Sequence, residues 1–282
     1  MNILTFDLEE WFHLLDFDAT RGEEQWKGFE VRIYENTERI LRLLDGSGSS
    51  ATFFVIGWIA KTYPDLVRRI SEKYEIGSHT DSHELVNVMG PVRFREDLKA
   101  SKARLEDITG RKVEAFRAPG FSIGKDEKWA LEILAEEEIK YDCSIFPARA
   151  SHGGWDGFPA NSPALVKTNS GDILEFPMST HRIAGREIAF TGGGYFRLCP
   201  YPLLRKWSRE AGDYLISYIH PRDLDAGQKV LPGLSAVRRF KSYYGLKGAG
   251  AKLRRYLSDF SFTDVRTAAR NIDKNKLNTL EL

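Results

Sequence analysis

Apolar positions along the chain fall into short runs separated by stretches of helical period, the pattern of repeated β/α units. Residues 3–6 read as a first strand and 34–44 as a helix, with Ile40, Leu41 and Leu44 on one face and Gly46 just past its end. Residues 52–56, rich in β-branched and aromatic side chains, predict a second strand. A helix follows over 63–73, with Pro64 where a first turn tolerates proline. Residues 75–78 form a short strand running into His79, and 91–109 a helix closed by Gly110. Then come a strand at 114–117, a helix at 125–138 and a strand at 140–142. Residues 149–170 are rich in Gly, Pro, Ser and Asn and predict a long loop. Strands are expected at 173–176, 187–190 and 214–220, with a helix at 202–210, and the tail after Pro232 reads as helical and basic.

The chain has 282 residues, 41 Lys plus Arg against 40 Asp plus Glu, so charge gives no case for nucleic acid or anionic membranes. Forty-two per cent hydrophobic residues at this length suffice for a real core without staples. Two cysteines, Cys143 and Cys199, make no CxxC pair, so a disulfide framework is not expected. No basic-then-apolar leader opens the sequence and no run reaches membrane-spanning length, so the expected location is cytoplasmic.

Four clusters carry candidate chemistry, each at the end of an expected strand, where β/α barrels keep their reactive groups. In Thr5-Phe6-Asp7-Leu8-Glu9 the carboxylates of Asp7 and Glu9 are two apart and share one face of an extended segment. Solvated loop acids are the plainer reading of that pair alone. His79 and His83 are four apart, a spacing that on a helical turn lets both imidazoles reach one metal. Their small polar neighbours make core histidines a poor reading. Arg117 precedes Pro119-Gly120, so it can orient a carboxylate while the turn offers a backbone N–H to an oxyanion. A structural arginine beside an ordinary turn is the alternative. His220 closes an apolar strand before Pro221, and an imidazole there suits proton transfer near neutral pH.

In order, Thr5-Phe6-Asp7, His79 with His83, Arg117-x-Pro119, Asp142-Cys143-Ser144 and Ile219-His220 resemble the motifs of the polysaccharide deacetylase (NodB-homology carbohydrate esterase) family, over residues 3 to about 225. Glu175-Phe176-Pro177 and Thr191-Gly192-Gly193-Gly194-Tyr195-Phe196-Arg197 resemble a bacterial branch found with exopolysaccharide and O-antigen biosynthesis. The glycine run reads equally as a flexible turn.

The resemblance implies a distorted (β/α) barrel over 1–230, with 231–282 a helical extension packed on it. It implies de-N-acetylation of an N-acetylated sugar, free, polymeric or nucleotide- or lipid-linked, with release of acetate. By that resemblance Asp7 is the base, Arg117 its support, Gly120 an oxyanion donor and His220 the acid. One divalent metal, zinc before cobalt, nickel, manganese or iron, is held by Glu9, His79 and His83. One departure stands out: the family's usual second Asp is Leu8 here, so Glu9 becomes the substitute ligand. Trp11, His13 and Tyr195 are expected at the sugar site, with Trp155 a further stacking candidate. Ring-opening amidohydrolysis, O-acetyl ester cleavage and a non-catalytic sugar-binding barrel are the competing readings.

Overall fold

The computed structural model describes residues 1–15, 17–20 and 22–282. Its strands in chain order are β1 (Asn2–Leu8), β2 (Thr52–Val55), β3 (Glu75–Ser78), β4 (Ala115–Phe116), β5 (Tyr141–Asp142), β6 (Ala164–Thr168), β7 (Gly171–Glu175), β8 (His181–Ile183), β9 (Arg186–Ile188), β10 (Leu215–Ile219) and β11 (Asn278–Glu281). Its helices are α1 (Glu23–Trp26), α2 (Ile33–Ser47), α3 (Gly57–Thr62), α4 (Pro64–Ser71), α5 (Val86–Thr109), α6 (Lys128–Glu136), α7 (Gly193–Leu198), α8 (Tyr201–Glu210), α9 (Ala236–Tyr243), α10 (Leu246–Asp259) and α11 (Val265–Asn271).

One mostly parallel sheet runs in the order β10-β1-β2-β3-β4-β5-β7-β6-β11. Among the described residues only β6 and β7 pair antiparallel within it. The strand order has no hydrogen-bonded seam between its two ends among the described residues, so the expected β/α barrel is present in its distorted, open form.

Alternation along β1 sets the site. Leu4, Phe6 and Leu8 enter the main apolar core beside Ile40 and Leu44 of α2 and Leu253 and Tyr256 of α10. The intervening Thr5, Asp7 and, just past the strand, Glu9 therefore share the other direction. Each fully buried aliphatic side chain contributes roughly 1.5–3 kcal/mol, so the register of β1 is firmly held.

Helix α2 ends at Gly48, whose left-handed φ of 67° lets its N–H reach Leu44 O, two residues beyond the stop expected at Gly46. The helix expected from 91 is the regular part of α5; Gly90, at φ 71°, breaks the preceding turn from it.

Three expectations are corrected. The long loop at 149–170 contains β6, because Ala164, Leu165 and Val166 bury against β7 in a hairpin. The strand expected at 187–190 is a three-residue edge, β9, paired only with β8 outside the main sheet. The basic tail is helical through α9, α10 and α11 but ends in β11, parallel to β6. Asn278, Thr279 and Glu281 are exposed, so no apolar alternation announced that strand. No helix among the described residues is long and apolar enough to cross a membrane.

Candidate active site

The ends of β1 and β3, the turn after β4 and the end of β10 open into one cleft of about 770 Å³. Asp7, Glu9, His13, His79, His83, Gly120, Tyr195 and His220 line it.

Glu9 Oε1 is 3.1 Å from His79 Nε2 and 3.1 Å from His83 Nε2, and all three residues are buried. The two histidines do not lie on a helical turn, as their spacing suggested. Residues 79–83 form a loop in which Thr80 (φ 64°) and His83 (φ 59°) are left-handed. Asp97 holds that loop by accepting from the N–H groups of Asp81 (2.6 Å) and Ser82 (3.0 Å), while Thr80 Oγ1 accepts from His83 N–H at 3.0 Å. Two strained non-glycine residues at a cleft are a signature of functional demand on the backbone.

These ligand types fit a divalent metal. His79 Nδ1 is 2.7 Å from Arg117 O, and a carbonyl only accepts, so Nδ1 donates. The Nε2 of the neutral ring then turns its lone pair on a carboxylate oxygen. Two acceptors at that distance need a cation or a proton between them. The three ligand atoms lie within 4.8 Å of one another, close enough for a single ion to meet all of them. Burial alone would raise Glu9's pKa, but the charges of His83 and His220 and the close contacts of the His79 and His83 rings hold it well below the ordinary range.

Asp7 is held from behind. Arg117 Nη1 donates to Asp7 Oδ1 and to Thr5 Oγ1, both at 2.7 Å. Arg117 is wholly buried, its Nε on Cys143 O at 3.1 Å and its guanidinium 4.4 Å from the Phe54 ring centroid. It touches the cleft only through Asp7, as a positioning group.

On the far side of Asp7, His220 Nε2 is 3.7 Å from Asp7 Oδ2 and 3.9 Å from Glu9 Oε1. Its Nδ1 donates to Asp223 Oδ2 at 3.1 Å. Burial opposes the charged ring, but Glu9, Asp223 and Asp7 outweigh it and push its pKa up to about 9. Asp223 is lowered despite its own burial, through His220 and Arg197. Gly120 sits in the turn after β4 at φ 62°, where the turn's own bonds use the N–H groups of Phe121 and Ser122.

The other expected residues divide. His13 lines the cleft, its ring 5.5 Å from that of His83 and 4.3 Å from that of Trp26. Its Nδ1 accepts Glu10 N–H at 3.3 Å, and burial, then the charge of His83, pushes its pKa well below the ordinary value. Tyr195 is half exposed on the rim. Trp11 is corrected: it is 2% exposed, stacked edgewise on Phe12 and Phe29 with its Nε1 on Glu30 O, and lies behind the cleft wall. Its bulk in a segment this apolar wins a core place. Trp155 is likewise core, against Phe158.

Sequence reasoning missed Asp223 and Arg222, and gave Arg197 no role beyond its place in the glycine-run motif. A carboxylate three residues after His220, at the turn that follows β10, was the available signal for the first. The glycine run proves to be a close approach: a Cβ on Gly192 would stand 1.8 Å from the Tyr218 ring. The run starts α7, which carries Arg197 to Asp223.

Residues 15–138 match the family model described as polysaccharide deacetylase. Over that segment the chain is similar to the polysaccharide deacetylase family. Residues 143–270 match a domain of unknown function, DUF3473. A peptidoglycan-N-acetylglucosamine deacetylase of Bacillus cereus is 32% identical over 100 residues, 35% of this chain and 36% of that protein. The chain thus spans little more than a third of the length of the curated relatives it matches. The crystal structure of a putative polysaccharide deacetylase from Mycobacterium smegmatis superposes with a TM-score of 0.67 at 20% identity, covering 100% of this chain and 92% of that one. A CE4 family pseudoenzyme from Bacillus anthracis gives 0.53 at 13%, covering 100% and 69%. These likenesses carry the fold, and the second marks that the fold alone does not make a catalyst.

Proposed function

We propose that this protein is a metal-dependent hydrolase that cleaves the linear amide of an N-acetylated sugar and releases acetate, within a surface-polysaccharide pathway of the O-antigen kind. The convergence of Glu9 Oε1 on His79 and His83, with Asp7 and His220 within 4 Å of each other beside it, carries the reading. Glu9, His79 and His83 would hold a divalent ion, zinc by the ligand set, which would supply Lewis acidity toward water and the acetamide carbonyl.

The chain's own groups do the rest. Asp7, fixed by Arg117, accepts the proton of the attacking water. As the water oxygen bonds to the carbonyl carbon, the Gly120 N–H is the available donor to the developing oxyanion, a contact worth about 2.7–4 kcal/mol where well placed. His220, charged at neutral pH, delivers its proton to the departing nitrogen as the C–N bond breaks. Acetate and an amino sugar leave.

Elemental analysis of the wild type beside Glu9→Ala, with acetate release from N-acetylated sugars measured in parallel, tests the reading. About one metal per chain, lost together with activity in the variant, is expected. A wild type that neither holds nor takes up Zn²⁺ or Co²⁺, and binds carbohydrate without releasing acetate, overturns it in favour of a sugar-binding barrel.

A further inference from the structure

The cleft is electrically divided. Residues before 143 bring Asp7 and Glu9 to its lining, whereas residues after 143 bring Arg149, Arg197, Arg222, Arg238 and Lys241 against Glu187 and Asp223. Five cations facing two carboxylates on one wall is an excess that a neutral sugar has no use for.

Following the hydrogen bonds narrows the excess. Arg197 has each of its three side-chain nitrogens engaged: its Nε donates to Asp223 Oδ1 at 2.8 Å, Nη1 to Tyr244 O at 2.5 Å and Nη2 to Lys241 O at 3.0 Å. Asp223 is thereby spent, since its other oxygen serves His220. Arg222 next to it is 7% exposed, and its Nη2 has no hydrogen-bond partner among the described residues. Its guanidinium lies 5.9 Å from the Tyr243 ring centroid. Burial lowers its pKa, with Asp223 opposing that only in part. A buried guanidinium with an unused donor is costly to keep, and a planar fork of this kind matches phosphate or carboxylate. Helix α9 adds Arg238 and Lys241, three apart and so on one side of the helix, to the same lining.

We propose that the acetylated sugar taken into this cleft carries an anionic substituent, a phosphate ester or a carboxylate, received by Arg222 together with Arg238 and Lys241. The identity of the sugar rests on the deacetylase reading above; the anion rests on the cationic wall alone.

Calorimetric titration of the intact, metal-loaded protein with three probes tests this: N-acetylglucosamine 1-phosphate, N-acetylglucosaminuronic acid and the neutral methyl glycoside of N-acetylglucosamine. One charged probe is expected to bind about tenfold or more tighter than the neutral one, with the advantage shrinking as salt rises. Which charged probe wins identifies the substituent. Arg222→Gln removes most of the advantage and Lys241→Ala, at an exposed position, reduces it several-fold without threatening the fold. Repeating the titration on Glu9→Ala separates the wall from coordination by metal, and the advantage persists there. Equal affinity for all three probes, or an advantage untouched by both cation variants, overturns the proposal. Acetate release from the neutral glycoside without charge preference leaves the deacetylase reading standing and removes the anion; selective charged binding without acetate release does the reverse.

Discussion

Asp223 Oδ2 accepts two hydrogen bonds from one residue, the backbone N–H of His220 at 2.9 Å and its ring Nδ1–H at 3.1 Å. The double contact fixes both the tautomer and the orientation of the ring, so Nε2 faces Asp7. Asp223 is itself anchored by Arg197, which ties α7 to α9 through two carbonyls.

Asp223→Asn is expected to move the alkaline limb of kcat from about 9 toward acid by one to three units, with lower kcat and little change in metal content. A pH–rate profile beside elemental analysis checks it. The same linkage has a sign for stability. Because the folded-state pKa of His220 is raised, its contribution is complete below the unfolded value near 6.5 and is lost as pH rises through about 9.

Asp7→Asn should keep the fold and the metal while losing about 10²–10⁴ in kcat, since Asn still accepts from Arg117 Nη1 but takes no proton. Acetate release measured at matched metal occupancy decides, and normal turnover would remove Asp7 as base.

Leu8→Asp would place a second carboxylate directly beside Asp7, yet no gain in metal affinity is expected. Leu8 is fully buried on the core side of β1, away from Glu9 and the histidines. An unpaired carboxylate there should cost more than about 3 kcal/mol. Denaturant unfolding together with metal titration tests both halves of that statement.

Glu175→Gln probes the second buried carboxyl pair. Asp142 Oδ2 and Glu175 Oε2 have no donor other than a proton of their own, and burial followed by the charge of Asp142 pushes Glu175 well above its ordinary pKa. Its raised pKa stabilises the protein at low pH and is a liability as pH rises through the folded value. A neutral amide replaces the shared proton, so the variant should stay within about 1 kcal/mol near neutrality and flatten the alkaline decline. Thermal melts across pH show it.

Much of the site was legible along the chain because its ligands follow short strands whose pattern is local. Asp7 and Glu9 share a face for the reason any i and i+2 pair in a strand does, and Leu8 turns to the core for the same reason. The order of His79, Arg117 and His220 at successive strand ends likewise needed no coordinates to suggest one mouth. The ladder then confirmed it by setting β1 between β10 and β2.

What only the tertiary structure decided depends on groups far apart in sequence competing for the same space and charge. Trp11 was a sugar-site candidate by type and became core because Phe12 and Phe29 close over it. His79 and His83 converge through a strained loop pinned by Asp97, not through helical periodicity. β6 and β11 owe their strands to a partner edge, since neither segment carries an alternation strong enough to specify one alone. Local pattern determined which residues face the cleft from each strand; long-range packing and electrostatics determined which of them keep company there, and why Asp223 is spent on His220 while Arg222 is left with an open donor.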